Sequence, residues 1–149
     1  MMIKKEEFSL QLIDELIDLS QKWVDEDNSY GIVVNTVDDF LDKDIYVAYD
    51  KDIIVGYLLA SKSIAKNGNS LIPQGSKVYY IDELYVKKIY RNRGIGKELF
   101  RFVQKNISSE YDFIELSTTN KDYKRILHFY VDELDMSFFS ACLIKKVED

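Results

Sequence analysis

With one cysteine, one proline, one histidine and no long apolar run in 149 residues, the sequence excludes several classes of function at once. A lone cysteine, Cys142, cannot close an internal disulfide. It lies in an apolar stretch, Phe138 to Val147, that reads as a closing strand, so a buried, inert thiol is expected rather than a nucleophile. A single histidine, His128, gives no metal-ligand spacing. No metal is expected, and His128 reads as a partly exposed packing residue on a helix. Nothing approaches the roughly 20 apolar residues that cross a bilayer, and Met1 to Glu7 lacks the apolar block of a signal peptide. The expectation is no membrane role and a cytoplasmic location. Without linkers, repeats or low-complexity stretches, residues 1–149 read as a single domain with a full core.

The formal charge is −6 and the pI near 4.9, which argues against nucleic acid as a partner. Its distribution is uneven. Residues 1–50 hold four lysines against thirteen acids, whereas residues 86–105 hold seven basic residues and one acid, Glu98. Lys87, Lys88 and Lys105 read as a solvated face. The acidic first third can steer cationic amines toward the protein.

Helical spacing of Phe8, Leu12, Ile13, Leu16, Ile17, Leu19 and Trp23 predicts a first helix over about Glu6 to Glu26, and Thr36 caps a short second one to about Leu41. Strands follow at Ile45 to Tyr49, Ile53 to Ser61 and Lys77 to Val86, then a helix from Gly94. Asp112 to Thr118 is a strand, Asn120 caps a helix to about Val131, and Ser137 to Val147 is the last strand. A first strand near Ile3 and Lys4 is short or missing. This order predicts an α/β (α+β) fold with a central mixed, twisted sheet flanked by helices.

The most informative run is Tyr85-Val86-Lys87-Lys88-Ile89-Tyr90-Arg91-Asn92-Arg93-Gly94-Ile95-Gly96-Lys97. It joins an apolar strand to a basic, glycine-punctuated helix start. Gly94 and Gly96 clear side chains from the backbone, so the unpaired N–H groups of the first helical turn can point at phosphate oxygens. Arg91, Arg93 and Lys97 stand where those phosphates would sit. The run lacks the third glycine of a dinucleotide fingerprint and the spacing of a Walker loop.

Read as Arg-x-x-Gly-x-Gly after a strand ending Glu83-Leu84-Tyr85-Val86, it resembles motif A of the GNAT superfamily of acetyl-CoA-dependent N-acetyltransferases. The resemblance covers about Ile45 to the C-terminus. It implies a GNAT-like acyl-CoA N-acyltransferase fold, acetyl-CoA as cosubstrate, and direct attack by a primary amine in a ternary complex. In the family the strand carrying Leu84, Tyr85 and Val86 splays from its neighbour and binds the pantetheine arm through its backbone. Arg91, Asn92, Arg93, Gly94, Ile95, Gly96 and Lys97 would then wrap the pyrophosphate, and Asn120 would cap its helix or touch the coenzyme.

Phe129-Tyr130-Val131-Asp132-Glu133-Leu134 resembles the family's Phe-Tyr-x-x-x-Leu, which makes Tyr130 the acid for the departing thiolate. Asp135 and Met136 replace the family's Gly-Phe, and Asn120 stands ten residues before Tyr130 rather than seven, which implies an extra helical turn or a loop. For the base there are three carboxylates, ranked Glu83, Asp82, Glu115. Asp82 and Glu83 are adjacent on a strand and so are expected on opposite faces. Glu115 matches the base position of the subset that acetylates protein N-termini. The acceptor is a small-molecule or peptide amine, with Asp25 to Asn28, Trp23 and Tyr30 pointing to a cationic one, and a homodimer is compatible. The competing reading is a non-catalytic acyl-CoA-binding sensor or interaction module.

Overall fold

The structure, a computed structural model, describes residues 1–148. In chain order it comprises β1 (Met2–Glu6), α1 (Leu10–Asp25), a 3-10 turn (Val37–Phe40), β2 (Asp44–Asp50), β3 (Ile53–Ile64) and β4 (Lys77–Val86). A second 3-10 turn (Lys88–Tyr90), α2 (Ile95–Ile107), β5 (Phe113–Glu115) and α3 (Tyr123–Leu127) follow, and α3 continues into a π-helical turn (His128–Glu133). The strands form one sheet in the order β1-β2-β3-β4-β5. The first three pairings are antiparallel and β4–β5 is parallel. Among the described residues no helix is long and apolar enough to cross a membrane.

Each face of the sheet carries its own core. Ile13, Leu16 and Leu19 of α1 pack with Phe40, Val47, Tyr57, Leu59 and Tyr85 on one face. Leu99, Phe100 and Val103 of α2 pack with Tyr46, Leu58, Tyr79 and Ile81 on the other, where Phe129 and Tyr130 join them. These are the i, i+3, i+4 stripes of the sequence turned inward. Ser9 caps α1 by accepting the Leu12 N–H at 3.2 Å, so α1 starts four residues later than its apolar pattern suggests. Thr36 and Asp39 form the expected capping box. The short first strand is present as β1.

Three expectations fail. Asp122, not Asn120, caps α3, its side chain accepting the Arg125 N–H. The predicted strand at 112–118 shrinks to Phe113–Glu115. The apolar stretch Ser137 to Val147 is no strand at all, and Cys142 within it is exposed rather than buried. An apolar strand pattern predicts pairing but does not say which sheet supplies the partner.

Candidate active site

β4 and β5 share only three rungs, Val78–Phe113, Tyr79–Ile114 and Tyr80–Glu115. Beyond Tyr80 the β5 chain parts from β4, so the edge from Ile81 to Val86 has no strand partner on that side. A cleft of about 920 Å³ opens in the gap. Its walls include Leu84, Tyr85 and Val86 of β4, the start of α2, residues 116–120 after β5, and Phe129 and Tyr130. The chain between α1 and the first 3-10 turn closes another side. There Tyr30 N–H donates to the Thr119 carbonyl at 3.1 Å, Thr119 Oγ1 returns a bond to the Tyr30 carbonyl, and Ser29 bridges Asn120.

At the floor, α2 begins behind Gly94, which has φ +81°. That left-handed conformation costs other residues roughly 1–2 kcal/mol, and a Cβ there would meet nothing within 4 Å. Gly94, Ile95 and Gly96 border the open cleft, and the N–H groups of a first helical turn have no partners within the helix, which suits a phosphate. Arg91, Asn92, Gly94, Ile95, Gly96 and Lys97 all line the cleft.

The basic side chains are more committed than their sequence suggests. Arg91 Nη1 and Nη2 lie 2.5 and 2.7 Å from the two Glu26 carboxylate oxygens, and its Nε donates to the Val86 carbonyl at 2.9 Å. Lys97 pairs with Glu133 at 3.0 Å. Arg93 lies 5.3 Å over the Tyr90 ring and has no carboxylate partner among the described residues. The Arg91 charge is therefore matched within the protein, and its visible task is to fasten the loop to the end of α1. Tyr85 hydroxyl also donates to Glu26, at 2.7 Å. Although burial pushes the Glu26 carboxyl up, the bonds from Arg91 and Tyr85 outweigh it and hold the group below its usual range.

The three carboxylate candidates separate sharply. Leu59 pairs with Glu83 but Ala60 pairs with Ile81, leaving Asp82 as the extra residue of a bulge. A bulge breaks the two-residue alternation. Hence Asp82 and Glu83 do not point to opposite faces. Ser61 donates to Asp82 and Tyr57 to Glu83, and these two β3 residues share a face. Asp82 is spent on Lys43 at 3.2 Å and Ser61 at 2.5 Å. Glu83 reaches the cleft, where Asn35 Nδ2 donates to both its oxygens at 2.8 and 2.9 Å and Tyr57 hydroxyl donates at 3.0 Å. Burial, partly offset by those donors and reinforced by Asp82 and Asp39, raises its pKa above the usual carboxylate value. Glu115 is exposed and does not line the cleft.

Tyr130 lines the cleft from the opposite wall. Its hydroxyl has no protein hydrogen-bond partner among the described residues and is not sealed from solvent. Burial pushes its pKa up to about 12, so at neutral pH it carries a proton to give. The ten-residue interval from Asn120 is taken up partly by a turn, in which Asn120 Oδ1 accepts the Asp122 N–H at 2.8 Å, and partly by the π-helical turn. Asn120 is therefore a turn former on the cleft wall rather than a helix cap. His128, exposed and 2.8 Å from Asp132 Oδ2, also borders the cleft.

Glu26, Asn35 and Tyr57 escape sequence reasoning. Asn35 lies 48 positions from Glu83, and Glu26 lies 65 from Arg91, so no local pattern joins them. The suggested acidic acceptor site at Asp25 to Asn28 is also largely neutralised, since Glu26 holds Arg91 and Asp27 holds Lys121.

Comparison with known proteins agrees with this geometry. The family model described as "Acetyltransferase (GNAT) family" matches residues 10–135. No curated protein matches. Among solved structures, a tetramutant of the BH1408 protein from Bacillus halodurans is similar, with TM-score 0.73 and 20% identity over 99% of this chain and 100% of that one. The aminoglycoside N-acetyltransferase AAC(6')-Iy in complex with CoA gives TM-score 0.67 at 14% identity, covering 99% and 100%. A ribosomal-protein-alanine N-acetyltransferase from Brucella melitensis biovar Abortus 2308 gives 0.68 at 14%, covering 98% and 100%. The split sheet, the glycine-started helix and the family match together lead to one conclusion: this chain belongs to the GNAT family of acetyltransferases.

Proposed function

We propose that this protein transfers the acetyl group of acetyl-CoA to a primary amine by direct attack in a ternary complex. The observation that carries the reading is the presence in one cleft of a carboxylate with a raised pKa and a tyrosine hydroxyl with no protein hydrogen-bond partner among the described residues, beside a helix N-terminus suited to phosphate. The pyrophosphate rests on the N–H groups that open α2, and the pantetheine arm runs along the unpaired edge of β4 at Leu84 to Val86. A protonated amine enters beside Glu83, which takes its proton directly or through a water. The nitrogen forms a bond to the thioester carbonyl carbon, the carbon–sulfur bond breaks and Tyr130 protonates the departing thiolate; the second proton of the nitrogen returns through solvent to the Tyr130 oxygen, and Glu83 releases the first to solvent, so both groups are restored. Asn35 and Tyr57 hold the Glu83 carboxylate in place for this transfer.

The acceptor is a small or peptidic amine that enters at Glu83, which among the described residues is the cleft carboxylate with no cationic partner. A panel of polyamines, aminoglycosides, amino acids and peptides, scored for release of free CoA thiol, tests the proposal. Amine-dependent release is expected. Tight acetyl-CoA binding without release across the panel would instead indicate a non-catalytic acyl-CoA-binding module.

A further inference from the structure

Resting on the amine acetylation assigned to this cleft, we propose that its acceptor is a monoamine carried on an apolar or aromatic body. Polyamines and aminoglycosides, which bring several ammonium groups, are then poor substrates.

The charges of the cleft set this limit. Its acidic lining residues are Asp82, Glu83 and Glu133. Asp82 is held by Lys43 at 3.2 Å and Glu133 by Lys97 at 3.0 Å, which leaves Glu83 to meet one ammonium. A second ammonium drawn in with it would shed water and find no free anion. Aromatic rings can also hold an ammonium, but two of those in the cleft already carry a cation of the protein. Lys121 Nζ lies 5.2 Å over the Tyr30 ring, and the Arg91 guanidinium lies 5.4 Å over Tyr85. Both cations would repel another.

The wall beside Glu83 is apolar and held open. Glu83 and Tyr85, two residues apart on β4, share a face. Tyr85 carries the Trp23 ring stacked at 5.3 Å and has Tyr57 at 6.1 Å, whose hydroxyl reaches Glu83. The polar atoms here are spent on one another, since Trp23 Nε1 and Ser29 Oγ both donate to Asn28 Oδ1, at 3.2 and 3.0 Å.

Residues 28–35 cross the cleft as a strap fixed at both ends. At one end Lys121 N–H donates to the Asn28 carbonyl at 2.8 Å. At the other, Asn35 N–H donates to the buried Ser20 hydroxyl at 3.1 Å, while its side chain holds Glu83. Between these anchors Ile32 and Val33 line the cleft, and Val33 is 74% exposed. Asn35 keeps both within two or three residues of the Glu83 contact. An ammonium on Glu83 therefore has carbon, not charge, as its neighbour, which is the surface that an alkyl or aryl group covers.

Thiol release at saturating acetyl-CoA, measured as kcat/KM for phenethylamine, hexylamine, spermidine and kanamycin, tests this on the full chain. Each monoamine should exceed each polycation by at least about 10-fold, the discrimination an apolar pocket can supply, and chiefly through KM. Val33→Asp adds a second free carboxylate at an exposed position of the wall. It should move the ratio of spermidine to phenethylamine upward by about 10-fold or more. A smaller preference in the parent, or its reversal, overturns the proposal and leaves acetyl transfer standing. An unchanged ratio in the variant overturns it too, since the strap would then not touch the acceptor. No release with any amine would instead overturn the reaction itself, and this proposal with it. Should the variant not fold, the ranking by the parent decides alone.

Discussion

At the scale of single residues, the proposed chemistry rests on two side chains whose surroundings push them in useful directions. Glu83 is half stripped of water yet held by three donor contacts, so its carboxylate is a better base than an ordinary one. Glu83→Gln keeps the shape and removes the base, and the amine-dependent rate is expected to fall on the order of 100-fold. The parent rate should drop as acid passes through the raised Glu83 value, and that limb should disappear in the variant. The stability effect has the opposite sign. A carboxyl whose folded pKa is raised contributes stability below its unfolded value and loses it as pH rises through the folded one. At neutral pH Glu83→Gln should therefore melt no lower than the parent, which a thermal scan at pH 7 would show. For Tyr130→Phe, steady-state turnover should also fall on the order of 100-fold. Coenzyme affinity should change little, since one neutral hydrogen bond is worth about 1 kcal/mol. Parent-like turnover by a folded variant would leave Tyr130 as a packing residue.

At the scale of elements, the sequence spoke clearly wherever a local rule applied. The β4 limits, the glycine turn and the start of α2 follow from apolar alternation, glycine and helix periodicity within one short stretch. Asp82 and Glu83 show where such rules stop. A bulge is an agreement between two strands, here Leu59–Ala60 against Ile81–Glu83, and neither strand announces it alone. The Glu26–Arg91 clasp is equally invisible, because α1 meets the loop before α2 only in three dimensions. Gly94 offers the test at this scale. Gly94→Asp puts a carboxylate into open space at the helix N-terminus, where it would compete with phosphate for the same N–H groups and repel it. Acetyl-CoA affinity measured by calorimetry should fall on the order of 100-fold or more, with circular dichroism unchanged. Undiminished binding would place the coenzyme elsewhere.

At the scale of the whole molecule, the Glu26 clasp ties the α1 layer to the loop that starts α2. Its carboxyl lies below the usual value of 4.5 in the fold. That stability is therefore complete above the unfolded value and is lost as pH falls through the folded one. Glu26→Gln should lower the melting temperature at pH 7, and its deficit should shrink as both proteins are taken toward pH 3. The C-terminal segment reads as strand-forming from its apolar residues, yet residues 137–148 pair with no strand, because an apolar pattern does not specify a partner. The central claim remains transfer of acetyl from acetyl-CoA to an amine while both are bound. Initial rates of thiol release, measured over a grid of acetyl-CoA and acceptor concentrations, test it most directly. Intersecting reciprocal plots are expected, with no acetyl mass on the protein after exposure to acetyl-CoA alone. Parallel plots with a stable acetyl group on Cys142 that passes to the amine would contradict it.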